Sequence, residues 1–319
     1  MYDLRSSSVC RYPTEGERPL SLPLLLFSAL VILFMSSSLQ TLILVPAFIF
    51  SNYRAVLSLS ESETFLEEIL TLYERFLQSD LSLLVQLFSG AFTLALTLVF
   101  VLALLRRKAG SLALFKRGAA AKYLLGLVFG GALFAACFGL AMVNGSFKLV
   151  GTASPVPIGM LALLFFGYVV QAASEEVLFR GLVMCELVRR GAPAKAILFS
   201  AGLFALVHFS NPEVGIVALL NLFLFGVLAA LLVLRSGSLI GACALHTAWN
   251  FTEGHIFGCS VSGLFTESSV FHFEALSSHA LTNGGGFGPE GGIAVTVVFL
   301  LAILLLLVFP SRSTRSALD

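Results

Sequence analysis

The sequence predicts an all-α, polytopic transmembrane helix bundle of about eight spans, and three observations carry that expectation. Only 12% of the 319 residues are charged and 58% are hydrophobic, with a mean hydropathy of +0.97. Soluble domains have roughly 25% charged and 45–50% apolar residues. The apolar excess lies in runs near the length of about 20 residues that crosses a bilayer, and the basic residues gather between those runs. Cys10, Cys137, Cys185, Cys243 and Cys259 show no CxxC spacing, so neither a disulfide framework nor a cysteine metal site is expected. Cys137, Cys185 and Cys243 fall in apolar runs and read as small packing residues.

Residues 1–19 are polar, with both charge signs, and read as a disordered cytoplasmic tail. The first span, about 20–50, is too long and too far from the start for a signal peptide. Within 51–80, Phe65, Ile69, Leu72 and Phe76 recur at helical spacing between Glu61, Glu63, Glu67, Glu68, Glu74 and Asp80. This is an amphipathic helix near 61–78 that lies along the membrane face or caps the bundle. The second span, 81–105, is followed by Arg106, Arg107, Lys108, Lys116, Arg117 and Lys122. The third, 123–143, carries Gly126, Gly130, Gly131 and Gly139, which permit close helix approach. A short loop with Lys148, Pro155 and Pro157 completes an N-terminal region, 20–154, and a second helical region covers 155–309. Its spans are 158–190, 196–209, 214–234, 239–252 and 293–309, with a polar, glycine-rich connection at 253–292 and a C-terminal tail at 310–319. With both termini cytoplasmic, the basic loops, Arg235, Arg312 and Arg315 share one side, and the acidic 51–80 segment and the long connection share the other.

Ionisable groups inside hydrocarbon cost several kcal/mol, face a bundle interior and mark working sites. Glu176 and Arg180 share one helix face and can pair, while Glu175 points about 100° away. A purely structural ion pair accounts for those two and leaves Glu175 without a partner. Phe204 and His208 lie one turn apart on the fifth span, and Asn211 follows on the His208 side. Asn221 interrupts the sixth span, and His246 and Asn250 share a face of the seventh. A lone buried histidine or asparagine is ordinary interhelical glue, but these groups in four successive spans need one another as partners. At about 1.5 Å per residue, His246 lies roughly 10 Å and His208 roughly 18 Å from the starts of their helices, so convergence is feasible.

A carboxylate beside an imidazole in low dielectric can take a proton from water, and a histidine with an asparagine can donate to a developing oxyanion. That set suits amide hydrolysis. There is no GxSxG elbow and no HExxH helix, and Cys243, three residues from His246, is weak as a nucleophile. The chemistry requires no cofactor. Glu175, His208 and His246 also form an acceptable zinc set, and both alternatives stay open. His255, His272 and His279 read as loop residues of the connection.

EEVLFR at 175–180, FALVH at 204–208, NLFLFG at 221–226 and HTAWN at 246–250 resemble the ordered EExxxR, FxxxH, NxxxFG and HxxxN motifs of the CPBP family (the Abi, or type II CAAX prenyl protease, family). The likeness covers about residues 155–255. It implies an eight-helix bundle and an intramembrane protease, with Glu175 and His208 activating water and His246 with Asn250 stabilising the oxyanion. Glu176 and Arg180 become positioning groups; Asn221, with Asn211 and Phe204, gives support. The implied partners are the bilayer and a membrane protein or lipidated peptide. The expected location is the inner membrane of a bacterium or the endoplasmic reticulum of a eukaryote. The long glycine-rich connection departs from a minimal family core and fits an exported substrate as well as a prenylated one.

Two rival readings fit the same residues. A proton-coupled transporter uses the same residue types but predicts internal repeats, which the sequence lacks. A non-catalytic scaffold or immunity-type protein would use the same fold to bind a peptide. Nucleic acid is not an expected partner, because the basic clusters are short and carry no interleaved aromatics.

Overall fold

The computed structural model describes residues 4, 7, 9, 19–59, 64–114, 118–265 and 267–309. The C-terminal tail, most of the N-terminal tail with Cys10, and Glu61, Glu63, Lys116 and Arg117 lie outside the described residues. Within them the chain is mostly helical. The helices are α1 (Leu22–Ser51), α2 (Tyr53–Leu59), α3 (Phe65–Leu77), α4 (Asp80–Leu98), α5 (Ala119–Val143), α6 (Ile158–Glu176), α7 (Cys185–Val188), α8 (Pro193–Val207), α9 (Ile216–Ser236), α10 (Ile240–Phe251), α11 (Ala280–Asn283) and α12 (Ile293–Val308). Five stretches are long and apolar enough to cross a membrane: 22–51, 80–104, 119–143, 158–188 and 216–236. Helices α8 and α12 are apolar but shorter, and α10 has 12 residues. The chain is therefore a polytopic membrane protein.

Local sequence explains the helix starts. Ser21 caps α1 by accepting from the Leu24 N–H, with Pro23 in the first turn, and Ser79 caps α4 by accepting from the Ser82 N–H. Both satisfy N–H groups that have no partner inside the helix. Helix α3 is the amphipathic element the sequence predicts. Its Phe76 is buried, 5.5 Å ring to ring from Phe48, so it packs against the end of α1.

Helix α5 lies along α10, α4 along α6 and α8 along α9, with α1 covering α4 and α12 covering α9. The approach of α5 to α10 depends on Gly126 and Gly130. A Cβ at Gly126 would lie 2.4 Å from the Gly241 carbonyl oxygen, and one at Gly130 would lie 2.2 Å from that of Leu245. Gly131 and Gly139, expected to act likewise, do not: a Cβ at Gly131 would meet only Thr252 Oγ1 at 3.4 Å, and Gly139 faces open space.

The all-α expectation needs correction. Residues Phe147–Thr152 (β1) and Phe271–Ala275 (β2) form a two-stranded antiparallel sheet, with an irregularity between Leu149 and Gly151. The pair joins the loop that carries Lys148 to the long connection. Two strands this short and this far apart in sequence leave no local periodic signal. At the same end, Asp80 accepts from the backbone N–H and the hydroxyl of Ser268. At the opposite end, buried Glu186 pairs with Arg107 and Arg189 and accepts from the Leu20 N–H at 2.9 Å.

Candidate active site

The motif-bearing segment does not continue as a regular α-helix past Glu176. Residues Val177–Met184 follow in a π-helical stretch, a geometry that recurs at functional sites. Fully buried Glu176 places Oε1 3.0 Å from Arg180 Nη1, which donates to it, and 3.1 Å from His246 Nδ1. Arg180 is also fully buried, and its guanidinium carbon sits 4.4 Å from the centre of the Phe204 ring. The carboxylate and the ring face together offset its charge. Gly226 makes room for this arrangement: a Cβ there would sit 2.8 Å from Ala201 Cα and 3.2 Å from Arg180 Nη2.

Glu175 points the other way, into a cavity of about 330 Å³ that His208, His246, Asn250, Gln171 and Glu290 also line. Its Oε1 accepts from Gln171 Nε2 at 2.5 Å. Its Oε2 has no hydrogen-bond partner among the described residues and lies 3.9 Å from His246 Nε2. Asn250 Nδ2 donates to Gln171 Oε1 at 3.1 Å.

His208 is the C-cap of α8 and not an interior residue of a longer fifth span, because the helix ends at Val207. Its Nδ1 lies 2.7 Å from the Phe204 carbonyl, which can only accept, so that nitrogen carries the proton. The same reasoning applies to His246, whose Nδ1 faces a carboxylate already engaged by Arg180. In the neutral rings both Nε2 atoms are therefore acceptors. Among the described residues no group of three or more His, Cys, Asp or Glu side chains is placed to hold a metal ion.

The supporting residues divide. Phe204 sits at the centre, 4.7 Å from the His208 ring and 6.0 Å from that of His246. Asn211 donates to the Ser262 carbonyl at 2.9 Å and ties the loop after α8 to the long connection. Asn221 stands apart from the cavity that Glu175, His208, His246 and Asn250 line. It donates to the carbonyls of Glu290 and Gly292 at 2.7 and 2.8 Å and accepts from Thr296 Oγ1 at 2.6 Å, clamping the glycine-rich segment before α12.

Sequence reasoning missed Gln171 and Glu290. Gln171 precedes Glu175 by four residues, so the spacing rule that pairs Glu176 with Arg180 would have found it. Glu290 had no such signal. Its carboxylate accepts from Trp249 Nε1 at 2.8 Å and from the Ser262 hydroxyl at 2.5 Å. The reading of His255 as a loop residue is also corrected. It is fully buried in a helical extension of α10, with Nδ1 2.6 Å from the Ser268 carbonyl, and burial lowers its pKa. Nearby Glu253 is fully buried. Burial, reinforced by the Glu290 carboxylate, holds its carboxyl well above the ordinary range.

Residues 157–252 match the family model described as type II CAAX prenyl endopeptidase Rce1-like. Over this segment the chain is similar to that family. The chain matches no curated protein and no solved structure. The CAAX-protease-like segment takes in α6 to α10 and all four motifs; α1 to α5, the sheet and α12 lie outside it.

Proposed function

We propose that the chain is an intramembrane endopeptidase that cleaves a membrane-associated or lipid-modified protein near its C-terminus. The observation that carries this reading is the unpartnered Oε2 of Glu175, 3.9 Å from His246 Nε2 in a cavity that His208 and Asn250 also line. Glu175, with His208, removes a proton from a water molecule as its oxygen attacks the scissile carbonyl carbon. The oxyanion that forms takes hydrogen bonds from Asn250 and from His246 in its protonated form, and Glu176 behind the ring stabilises that imidazolium. The proton held by Glu175 then passes to the leaving amine. Arg180 and Glu176 position His246 and do not touch the substrate.

In this reading the shorter helices α8, α10 and α12 complete an eight-helix bundle, both termini are cytoplasmic, and residues 155–309 form the catalytic region. Among the described residues the cavity lining contains no lysine or arginine. A free α-carboxylate bound there would lack a counter-charge, which supports an occupant that is an uncharged stretch of chain around the scissile bond, with the substrate's terminus outside.

The test compares membrane proteins from cells carrying the wild type or Glu175→Gln at matched expression and maps new C-termini. The glutamine keeps size and hydrogen bonding and removes the base, so cleavage falls by about 10³-fold while the protein still folds. A folded variant that trims the same termini at the wild-type rate sinks the reading. If no terminus differs between the two, a scaffold or immunity role takes its place.

A further inference from the structure

We infer that Gln171 is a positioning residue that aligns the base and the oxyanion donor against each other. The inference rests on the protease reading for its consequence and on geometry alone for its premise. One side chain makes both contacts: its Nε2 donates to Glu175 Oε1 at 2.5 Å and its Oε1 accepts from Asn250 Nδ2 at 3.1 Å. No other hydrogen bond links the Glu175-bearing helix to Asn250 among the described residues.

The two contacts have distinct effects. The donor to Oε1 decides which oxygen of Glu175 is occupied and leaves Oε2 free on the His246 side. The acceptor fixes the amide plane of Asn250 and uses one of its two N–H bonds, leaving the other for an incoming oxygen. Gln171 is itself held. A Cβ at Gly90 would lie 3.2 Å from Gln171 Cα, so α4 presses directly on this turn of α6. A polar filler with no role would need neither contact to be made to a reactive group.

The test labels purified protein in detergent with dicyclohexylcarbodiimide, an apolar carboxyl reagent, and measures modification of Glu175 by peptide mass spectrometry. Fully buried, ion-paired Glu176 is the internal control and stays unmodified. Gln171→Met removes both contacts at similar length, and Gln171→Leu serves where Gln171→Met does not accumulate. Loss of one charge-assisted hydrogen bond raises the labelling rate of Glu175 about tenfold. Gln171→Lys restores a donor to Glu175 and returns labelling towards the wild-type rate, but it offers Asn250 no acceptor. On the C-terminal peptide found by terminus mapping, Gln171→Met and Gln171→Lys both lower kcat by about 10²-fold, with KM within about a factor of two.

Unchanged Glu175 labelling in a folded Gln171→Met protein overturns the inference, as does raised labelling with unchanged kcat. Raised labelling where even the wild type cleaves nothing leaves the Gln171–Glu175 contact standing and removes the protease reading, so the two failures are distinguishable.

Discussion

Gly130 lies on α5 and does not line the cavity, yet its replacement by alanine should disable the site. A Cβ at this position falls 2.2 Å from the Leu245 carbonyl oxygen and 3.0 Å from Leu245 Cα. That is roughly 1 Å inside ordinary contact, and the obstacle is backbone, which cannot rotate away as a side-chain tip could. The methyl group is accommodated only if α10 moves off α5 by about 1 Å, at about 1–3 kcal/mol for overpacking. Leu245 immediately precedes His246, so the shift reaches the pair that faces Glu175. Misplacement on that scale costs about 10²-fold in rate. Gly139→Ala is the control, on the same helix with nothing within 4 Å of its Cβ, and should stay within about 0.5 kcal/mol of the wild type. Unfolding in detergent measures the first effect, and cleavage of the mapped substrate measures the second. If Gly130→Ala and Gly139→Ala unfold at the same temperature, the close approach of α5 to α10 is not what that glycine provides.

Two further outcomes are expected. Arg180→Met leaves Glu176 buried beside His246 without its cation, which costs about 3–5 kcal/mol; adding Glu176→Gln should recover part of this, because the uncompensated charge goes with it. Equilibrium unfolding of the two variants checks this, and a double variant no more stable than Arg180→Met counts against the reasoning. Glu253→Gln should stabilise the protein increasingly as pH rises from 5 to 8. The folded carboxyl titrates well above its ordinary value of 4.5, so the folded state binds the extra proton. Its favourable contribution is full below that value and is lost as pH rises towards the folded pKa. The contribution of His255 runs the opposite way, since burial lowers its pKa, but it cancels in the difference between the two proteins. A stability difference that does not change with pH would show that Glu253 is not held neutral by the fold.

What was legible in the sequence was whatever a single helix repeats. Glu176 with Arg180, Phe204 with His208, and His246 with Asn250 are each four residues apart, and the structure sets each pair on one face. The π-helical stretch after Glu176 was hidden because its residues are ordinary helix formers. The rest involved distant partners. Asn221 clamps carbonyls at 290 and 292, Trp249 reaches Glu290, and Asp80 holds Ser268. None of these has a local spacing that predicts it. The connection at 253–292 looked like a polar loop for the same reason. Buried side chains in it, among them His255 beside Tyr168 and Glu253 beside Gly288, are covered by segments distant in the chain, and hydropathy along a sequence cannot report that.

Adjacent acids in a membrane helix look redundant, and the contacts explain why both are present. A single oxygen of Glu176 serves both Arg180 Nη1 and His246 Nδ1, so the arginine's charge is coupled to the histidine's proton through one atom. With that proton committed to Glu176, and the Nδ1 proton of His208 committed to the Phe204 carbonyl, neither neutral ring can donate through Nε2. Of Glu175, His208, His246 and Asn250, Asn250 is then the one with an N–H left to donate. On the protease reading, His246 is the second donor only when its Nε2 already carries a proton from the surrounding water, separate from the one that Glu175 takes and returns to the leaving amine; Glu175 Oε2 stands 3.9 Å from that nitrogen. Glu176 cannot act as the base without giving up the ion pair that sets the ring, and Glu175 cannot set the ring without losing its free oxygen. Two carboxylates about 100° apart on one helix meet both requirements, which one alone could not.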